Sequence, residues 1–160
     1  MFAKRLSVYP FLSRKRLRVI QYNVNSRLST KNDKTFDVGC AAVFEEMICY
    51  IEGLLPKTEK IRNGIREYAH HYPSIILREL VDNALIHQDF LLIGIGPTVE
   101  IFDSRIEITN PEAPLIDNRI IDNTQKSRNE TLAALMRRIG ICEKEVGKRM
   151  EQGCRVFLDE

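Results

Sequence analysis

Between Ile75 and Ile108 the apolar residues change their period. From Ile75 to His87 they recur at three- and four-residue spacing, with Leu77, Leu80, Val81, Ala84 and Leu85 together, which gathers them on one broad face of a helix turning about 100° per residue. Shortly afterwards Val99 and Ile101, then Ile106 and Ile108, alternate with polar residues on either side of Asp103-Ser104. That alternation predicts a β-hairpin. A helix feeding an antiparallel hairpin, with a further helix after it, implies an α+β fold of two layers, helices on a mostly antiparallel sheet. A doubly wound parallel sheet does not fit this order.

The flanking segments fill out the two layers. Arg16–Val24 is short, β-branched and roughly alternating, which predicts a strand, whereas Ser26–Lys34 is polar and turn-rich and predicts a loop. Val43, Phe44, Met47, Ile48, Ile51 and Leu55 predict a helix from Asp37 to Leu55, weakened at Gly53 and ended by Pro56. Lys57–Tyr68 reads as a short strand or a linker. Pro73 suits the first turn of the next helix, where its missing N–H costs nothing. Leu92–Thr98, with two close glycines and no lysine, reads as a mobile turn closing the sheet. Pro111–Ser127 is loop-like. Ser127 and Glu130 have the spacing of a capping box ahead of a helix with Leu132, Leu135, Met136 and Ile139, and Gly140 suits its end.

A chain of 160 residues with 44% hydrophobic and 29% charged residues suits one ordinary domain, with room for a fragment of a neighbour. No apolar run approaches the roughly 18 residues of a membrane span, and the start lacks the apolar stretch and cleavage site of a signal peptide. The expected compartment is the cytoplasm, with no membrane partner. The four cysteines form no CxxC pair and His70, His71 and His87 form no HxxxH pair, so separate reduced thiols are expected rather than a disulfide framework or a zinc site. Charge is uneven. Eight of the 24 Lys and Arg precede Asp33 with no acid among them, leaving 16 against all 22 Asp and Glu. Such a basic segment, with Arg14, Lys15, Arg16 and Arg18 at its centre, can contact phosphates of nucleic acid without reading sequence. It can equally be a solvated end or one face of a strand.

On the helix that ends at His87, Glu79, Asp82 and Asn83 fall opposite the apolar face, with Arg78 and His87 at the margins. A carboxamide oxygen is a hard ligand that suits Mg²⁺, and a carboxylate one turn away can orient and deprotonate a water. The same spacing is also common on the wet side of any amphipathic helix. Periodicity alone does not separate the two readings.

The run "YPSIILRELVDNALIHQDF" resembles the N-box helix of the GHKL ATPase superfamily, the fold of gyrase and histidine kinases. More narrowly it is similar to the ATPase-like C-terminal module of bacterial proteins known as RecG-related helicases or AlbA-type transcriptional regulators. Tyr72, Pro73, Arg78, Glu79, Asn83, Ala84, His87, Asp89 and Phe90 carry the first motif, "VEIFDSRIEITNP" the second and "SRNETLAALMRRIGICEKE" the third. Upstream, "LRVIQYNV", "TFDVG" and "VFEEMICYIEGLLP" resemble the junction with an AlbA-like DNA-binding module. The resemblance implies a remnant of that module, or a basic arm, over 1–38 and the ATPase-like domain over 39–160. It implies ATP and Mg²⁺ as ligands, with Glu79 as general base and Asn83 on the metal. Asp82, His87, Asn110 and Gly147 would face the nucleotide, Asn110 standing where relatives place the acid that reads the adenine amino group.

The sequence departs from the family where phosphates would sit. Glu112 and Ala113 replace a glycine pair after Asn110-Pro111, and in "EVGK" only Gly147 remains of a later glycine-rich phrase, beside the negative charge of Glu145. No G-x-x-x-x-G-K-[ST] loop occurs, so no helicase motor is present. The expectation is a regulatory or interaction module of a DNA-associated protein with a degenerate ATP site, at most a weak ATPase, reaching DNA through a neighbouring module and open to a protein partner or self-association. Two alternatives stand beside it. One is a working Mg-ATP enzyme. The other is DNA binding through the basic arm and a helix-turn-helix outline over Thr131–Met150.

Overall fold

The structure is a computed structural model that describes residues 2–62, 65–70, 72–92, 94, 96–110, 129–141 and 155–159. It is α+β. Strands β1 (Arg18–Val24), β2 (Ser26–Thr35), β5 (Thr98–Ile101), β6 (Arg105–Thr109) and β7 (Arg155–Asp159) form one sheet in the order β2-β1-β5-β6-β7. The pairing of β1 with β5 is parallel and the other three are antiparallel. A separate hairpin, β3 (Lys57–Arg62) with β4 (Ile65–His70), links helix α1 (Cys40–Leu54) to helix α2 (Ser74–Ile86), and helix α3 (Glu130–Arg138) follows the sheet hairpin β5–β6.

The register explains why the alternation in the sequence matters. Val19 pairs with Val99, which pairs with Ile108, so one cross-sheet row of β-branched side chains faces the helices. These residues share a core with Phe44, Met47 and Ile51 of α1, Leu77, Val81 and Leu85 of α2 and Met136 of α3. Helix and sheet layers thus close on one another through the periods that the sequence displays.

The neighbouring row, Ile20, Glu100 and Glu107, faces the other way. Two carboxylates are buried there, Glu100 at 8% exposure and Glu107 at 2%. Arg27 donates to both, Arg105 donates to Glu107 at 2.7 Å, and the Tyr22 hydroxyl donates to Glu100 at 2.9 Å. Tyr22 stacks on Phe102 at 4.9 Å, and the Arg105 guanidinium lies 4.0 Å from the Phe102 ring centre. The carboxylates hold the Arg27 guanidinium well above its ordinary pKa, the hydrogen bond to Glu100 contributing most.

Two expectations change. Ser26–Lys34 is not a loop but most of β2, an edge strand whose residues are exposed or half-buried on both faces. With neither face in the core it has no apolar alternation to display, and its charges suit an open edge. Lys57–Tyr68 is a hairpin of two strands rather than one strand or a linker. The expected capping box falls partly outside the described residues, because Ser127 is not among them. Asn129 occupies the cap of α3, which begins at Glu130, and its side chain makes no capping hydrogen bond. Asn129 is used differently: its amide donates to the carbonyls of Ile86 at 2.6 Å and Gln88 at 2.9 Å, joining the end of α2 to the start of α3. The other end of α3 follows expectation. Gly140 adopts φ +75°, its N–H bonds Arg137 and that of Ile141 bonds Met136, the Schellman arrangement.

A division at residue 38 falls between β2 and α1, while β1 and β2 hydrogen-bond into the sheet of β5 and β6. The N-terminal residues are tied down as well: Leu6 N–H bonds the Asp37 carbonyl at 2.8 Å, Gly39 N–H bonds the Ala3 carbonyl at 2.9 Å, and Asp37 accepts from the Ser7 N–H at 2.7 Å. The Asp37 carboxyl is held below its ordinary pKa, first by the Ser7 hydroxyl.

Two substitutions test this account by urea unfolding. At Gly96 a Cβ would sit 2.5 Å from the Arg14 carbonyl oxygen and 2.7 Å from that of Arg16, so Gly96→Ala should cost about 1–3 kcal/mol. Arg27→Ala should cost about 2–3 kcal/mol, below the figure for a fully buried ion pair because the arginine is half exposed. Loss of both buried acids as Glu100→Gln/Glu107→Gln should recover part of it.

Candidate nucleotide site

The expected site is divided between α2 and the end of β6, and α2 packs on β6. Glu79 and Asn83 lie one turn apart on α2 and are both half-buried, since the apolar residues around them are spent on the core. His87 caps the helix, its N–H bonding the Asn83 carbonyl at 2.9 Å. Asp82 departs from the wheel. It is only 6% exposed, and its charge adds to the burial that raises the Cys40 thiol to about 11. The helical wheel assigns Asp82 to solvent because it sees one helix, whereas α1 packs over that flank of α2.

Asn110 follows β6 directly. The alternation of Ile106 and Ile108 carries on to place it on the helix side of the sheet, and it is 8% exposed, with an Oδ1 that has no hydrogen-bond partner. Buried amide oxygens are seldom left so. The hydroxyl of Thr109 is also unpartnered, but by the same alternation it belongs to the opposite face. Gly147 lies outside the described residues, as do Glu112, Ala113, Glu145 and the second helix of the helix-turn-helix outline.

Arg78, at the margin of the pair, is committed elsewhere. It donates to both carboxylate oxygens of Glu45 on α1, at 2.6 and 2.7 Å, and its guanidinium lies 5.3 Å from the Phe44 ring centre. It clasps α1 to α2 and so fixes the direction of the face carrying Glu79 and Asn83. That pairing holds the Glu45 carboxyl below the ordinary carboxylate range.

Of the residues expected to meet DNA, Arg14 is exposed. Lys15 is not on the surface: it is 5% exposed and its ammonium donates to the Asp89 carbonyl. Burial lowers its pKa, partly offset by the Asp89 charge. Arg16 donates to the Ser13 carbonyl at 2.6 Å and lies 3.4 Å from Asp37, and Arg18 makes a bidentate pair with Asp33. Runs of basic residues show charge but not the acids that fold back on them. Gln88 was not singled out by sequence and is buried at 3%. No local pattern marks it, since it lies past the helix C-cap at His87.

Residues 94–155 match the family described as "Putative ATP-dependent DNA helicase recG C-terminal". The match to the recG C-terminal family takes in Asn110 and Gly147, and it starts downstream of Glu79 and Asn83. Among solved structures, the fold is similar to that of the DIP2311 protein from Corynebacterium diphtheriae, with a TM-score of 0.68 at 16% identity. The alignment covers 82% of this chain and 28% of that one, so the chain spans little more than a quarter of its neighbour's length. No curated protein matches. Among the described residues, no helix is long and apolar enough to cross a membrane and no group of His, Cys, Asp and Glu could hold a metal ion.

The clasp between the helices is testable by pH. A carboxyl whose folded pKa is depressed stabilises the fold fully above its unfolded value, about 4.3 for Glu, and that contribution is lost as pH falls through the folded value. The side-chain carboxyl resonance of Glu45 should therefore titrate with a midpoint below about 4.3. In Arg78→Ala the midpoint should return to that ordinary value.

Proposed function

We propose that this chain is a regulatory or interaction module of a bacterial DNA-associated protein, built around a GHKL-type nucleotide site that keeps its base-reading end and has lost part of its phosphate end. The observation that carries this reading is Asn110. A buried amide oxygen without a partner, on the helix side of the sheet, is suited to accept a hydrogen bond from the exocyclic amino group of an adenine. Binding a base would satisfy an atom that the fold leaves unsatisfied.

The remaining residues support occupancy more than turnover. Asn83 would contribute its carboxamide oxygen to Mg²⁺, which when bound neutralises phosphate charge. Glu79, half-buried one turn before it, has the reach to hold and deprotonate a water. Against efficient phosphate handling stand Glu112 and Ala113 in place of glycines and the added charge of Glu145. The module is at most a weak ATPase, and binding serves to signal rather than to drive a motor. In this reading residues 1–38 descend from an AlbA-like neighbour, and DNA is met through that neighbour. Lys15, Arg16 and Arg18 are engaged by Asp89, Asp37 and Asp33, which weakens the case for the basic segment as the contact surface. A protein partner or a second copy is the readout.

Amide chemical shifts recorded during titration test the reading. Adenosine and Mg-ATP should both perturb the surroundings of Asn110 at millimolar concentration, with affinities within about tenfold of one another, or about 1.4 kcal/mol, and Asn110→Leu should remove the response to both. Silence around Asn83 and Asn110 at millimolar ligand would sink the nucleotide site. Mg-ATP binding a hundredfold tighter than adenosine, with hydrolysis abolished by Glu79→Ala, would replace the proposal with a working ATPase.

A further inference from the structure

A cavity of about 810 Å³ lies apart from Glu79, Asn83 and Asn110. Four stretches distant in sequence enclose it: the N-terminal segment through Leu6, Leu12 and Lys15, the approach to α1 through Val38–Cys40, the end of α2 through Leu85, Gln88 and Phe90, and the first turns of α3. Its volume is in the range of small-molecule sites, roughly 300–1,000 Å³, and its walls are mostly apolar with a few polar groups, the usual composition of such sites.

One of those polar groups lacks a partner. Gln88 is 3% exposed; its Nε2 donates to the Leu85 carbonyl at 3.0 Å, which fixes the amide, and its Oε1 accepts nothing. Opposite in character is the start of α3. Asn129, Glu130 and Thr131 line the cavity, and the Asn129 side chain does not cap the helix because its amide is turned to Ile86 and Gln88. The opening N–H groups of a helix have no intrahelical acceptor. The cavity therefore offers one acceptor that lacks a donor and, beside it, helix-opening donors that have no intrahelical acceptor and no cap from the Asn129 side chain.

We propose that this cavity binds a neutral, apolar small molecule that ends in a carboxamide. The carboxamide N–H would donate to Gln88 Oε1, its carbonyl would accept from the first turn of α3, and an aromatic or branched body would fill the space beside Leu12, Leu17, Met47 and Leu135. Charge argues for a neutral head. The Lys15 ammonium is already directed to the Asp89 carbonyl, and Glu130, in the first turn of α3, would repel a carboxylate. This site is independent of the nucleotide reading, which involves none of these residues.

The probes are 2-naphthamide and 2-acetylnaphthalene, alike in size and carbonyl but differing in the N–H donor. Methyl resonances of the full chain are followed by NMR during titration of each. The expected result is saturable shifts at Leu12, Leu17, Leu135 and Met47 with 2-naphthamide, at least about tenfold weaker binding of the ketone, and loss of that preference in Gln88→Leu, because a site built to bond an N–H rejects the analogue lacking it. Equal binding of the two probes by the unsubstituted chain would overturn the proposal, leaving an apolar cavity without recognition. It is overturned equally if 2-naphthamide gives no saturable shift at these methyls, or shifts only the neighbours of Asn83 and Asn110. The comparison of the two probes is decisive even if Gln88→Leu fails to fold.

Discussion

The parallel pairing of β1 with β5 is the constraint on which the other contacts rest. It brings Val19 beside Val99 and Ile20 beside Glu100, residues separated by some eighty positions in the chain. A parallel pair cannot be closed by a tight turn, so everything between the two strands has to cross over. In this chain the crossover contains α1, the β3–β4 hairpin and α2. Helices therefore cover one face of the sheet, and the row Val19, Val99, Ile108 becomes their floor. The segment 14–16 is pressed against Gly96 by the same pairing, with Arg18 N–H bonding the Pro97 carbonyl at 3.0 Å.

The two faces of the sheet are stabilised by different physics. The helix side excludes water with aliphatic and aromatic side chains. On the far side Glu100 and Glu107 are buried beneath Arg27, Arg105, Tyr22 and Phe102. Desolvated acids are tolerated only where donors surround them, and here the guanidinium groups also stack on an aromatic ring. The arrangement fixes register, since a slip by one residue would place the acids in the apolar layer. Asn25 adds a further tie, accepting from the N–H and hydroxyl of Ser104 at 3.0 Å and so joining the β1–β2 connection to the β5–β6 turn.

How far the sequence announces this fold depends on whether an element meets the core. α1 and α2 each give one face to the core, and the β5–β6 hairpin sets an apolar face against one of buried acids, so each shows a period that can be read. β2 is an edge strand with no buried face, so its ten residues resemble a loop. Asp82 illustrates the limit within a well-read helix: a wheel shows which side is polar, but not that a second helix covers that side. For the candidate site, Glu79, Asn83 and Asn110 are legible through their resemblance to a known module, and the position of Asn110 also through strand alternation. The engagement of Lys15, Arg16 and Arg18 depends on partners that folding alone brings near. The 810 Å³ cavity is assembled from four separate stretches, and no local pattern encodes it.

Asn129 gives the helix layer an unusual economy. One side chain satisfies carbonyls at the exit of α2 while its own backbone carbonyl accepts the first turn of α3, from Ala133 N–H at 2.9 Å. The two helices consequently share a terminus in the energetic sense. Fraying of either end removes hydrogen-bond partners from the other, which couples the C-terminal end of α2 to the start of α3. The end of α2, one turn beyond Asn83, is thereby anchored by a residue more than forty positions further along the chain.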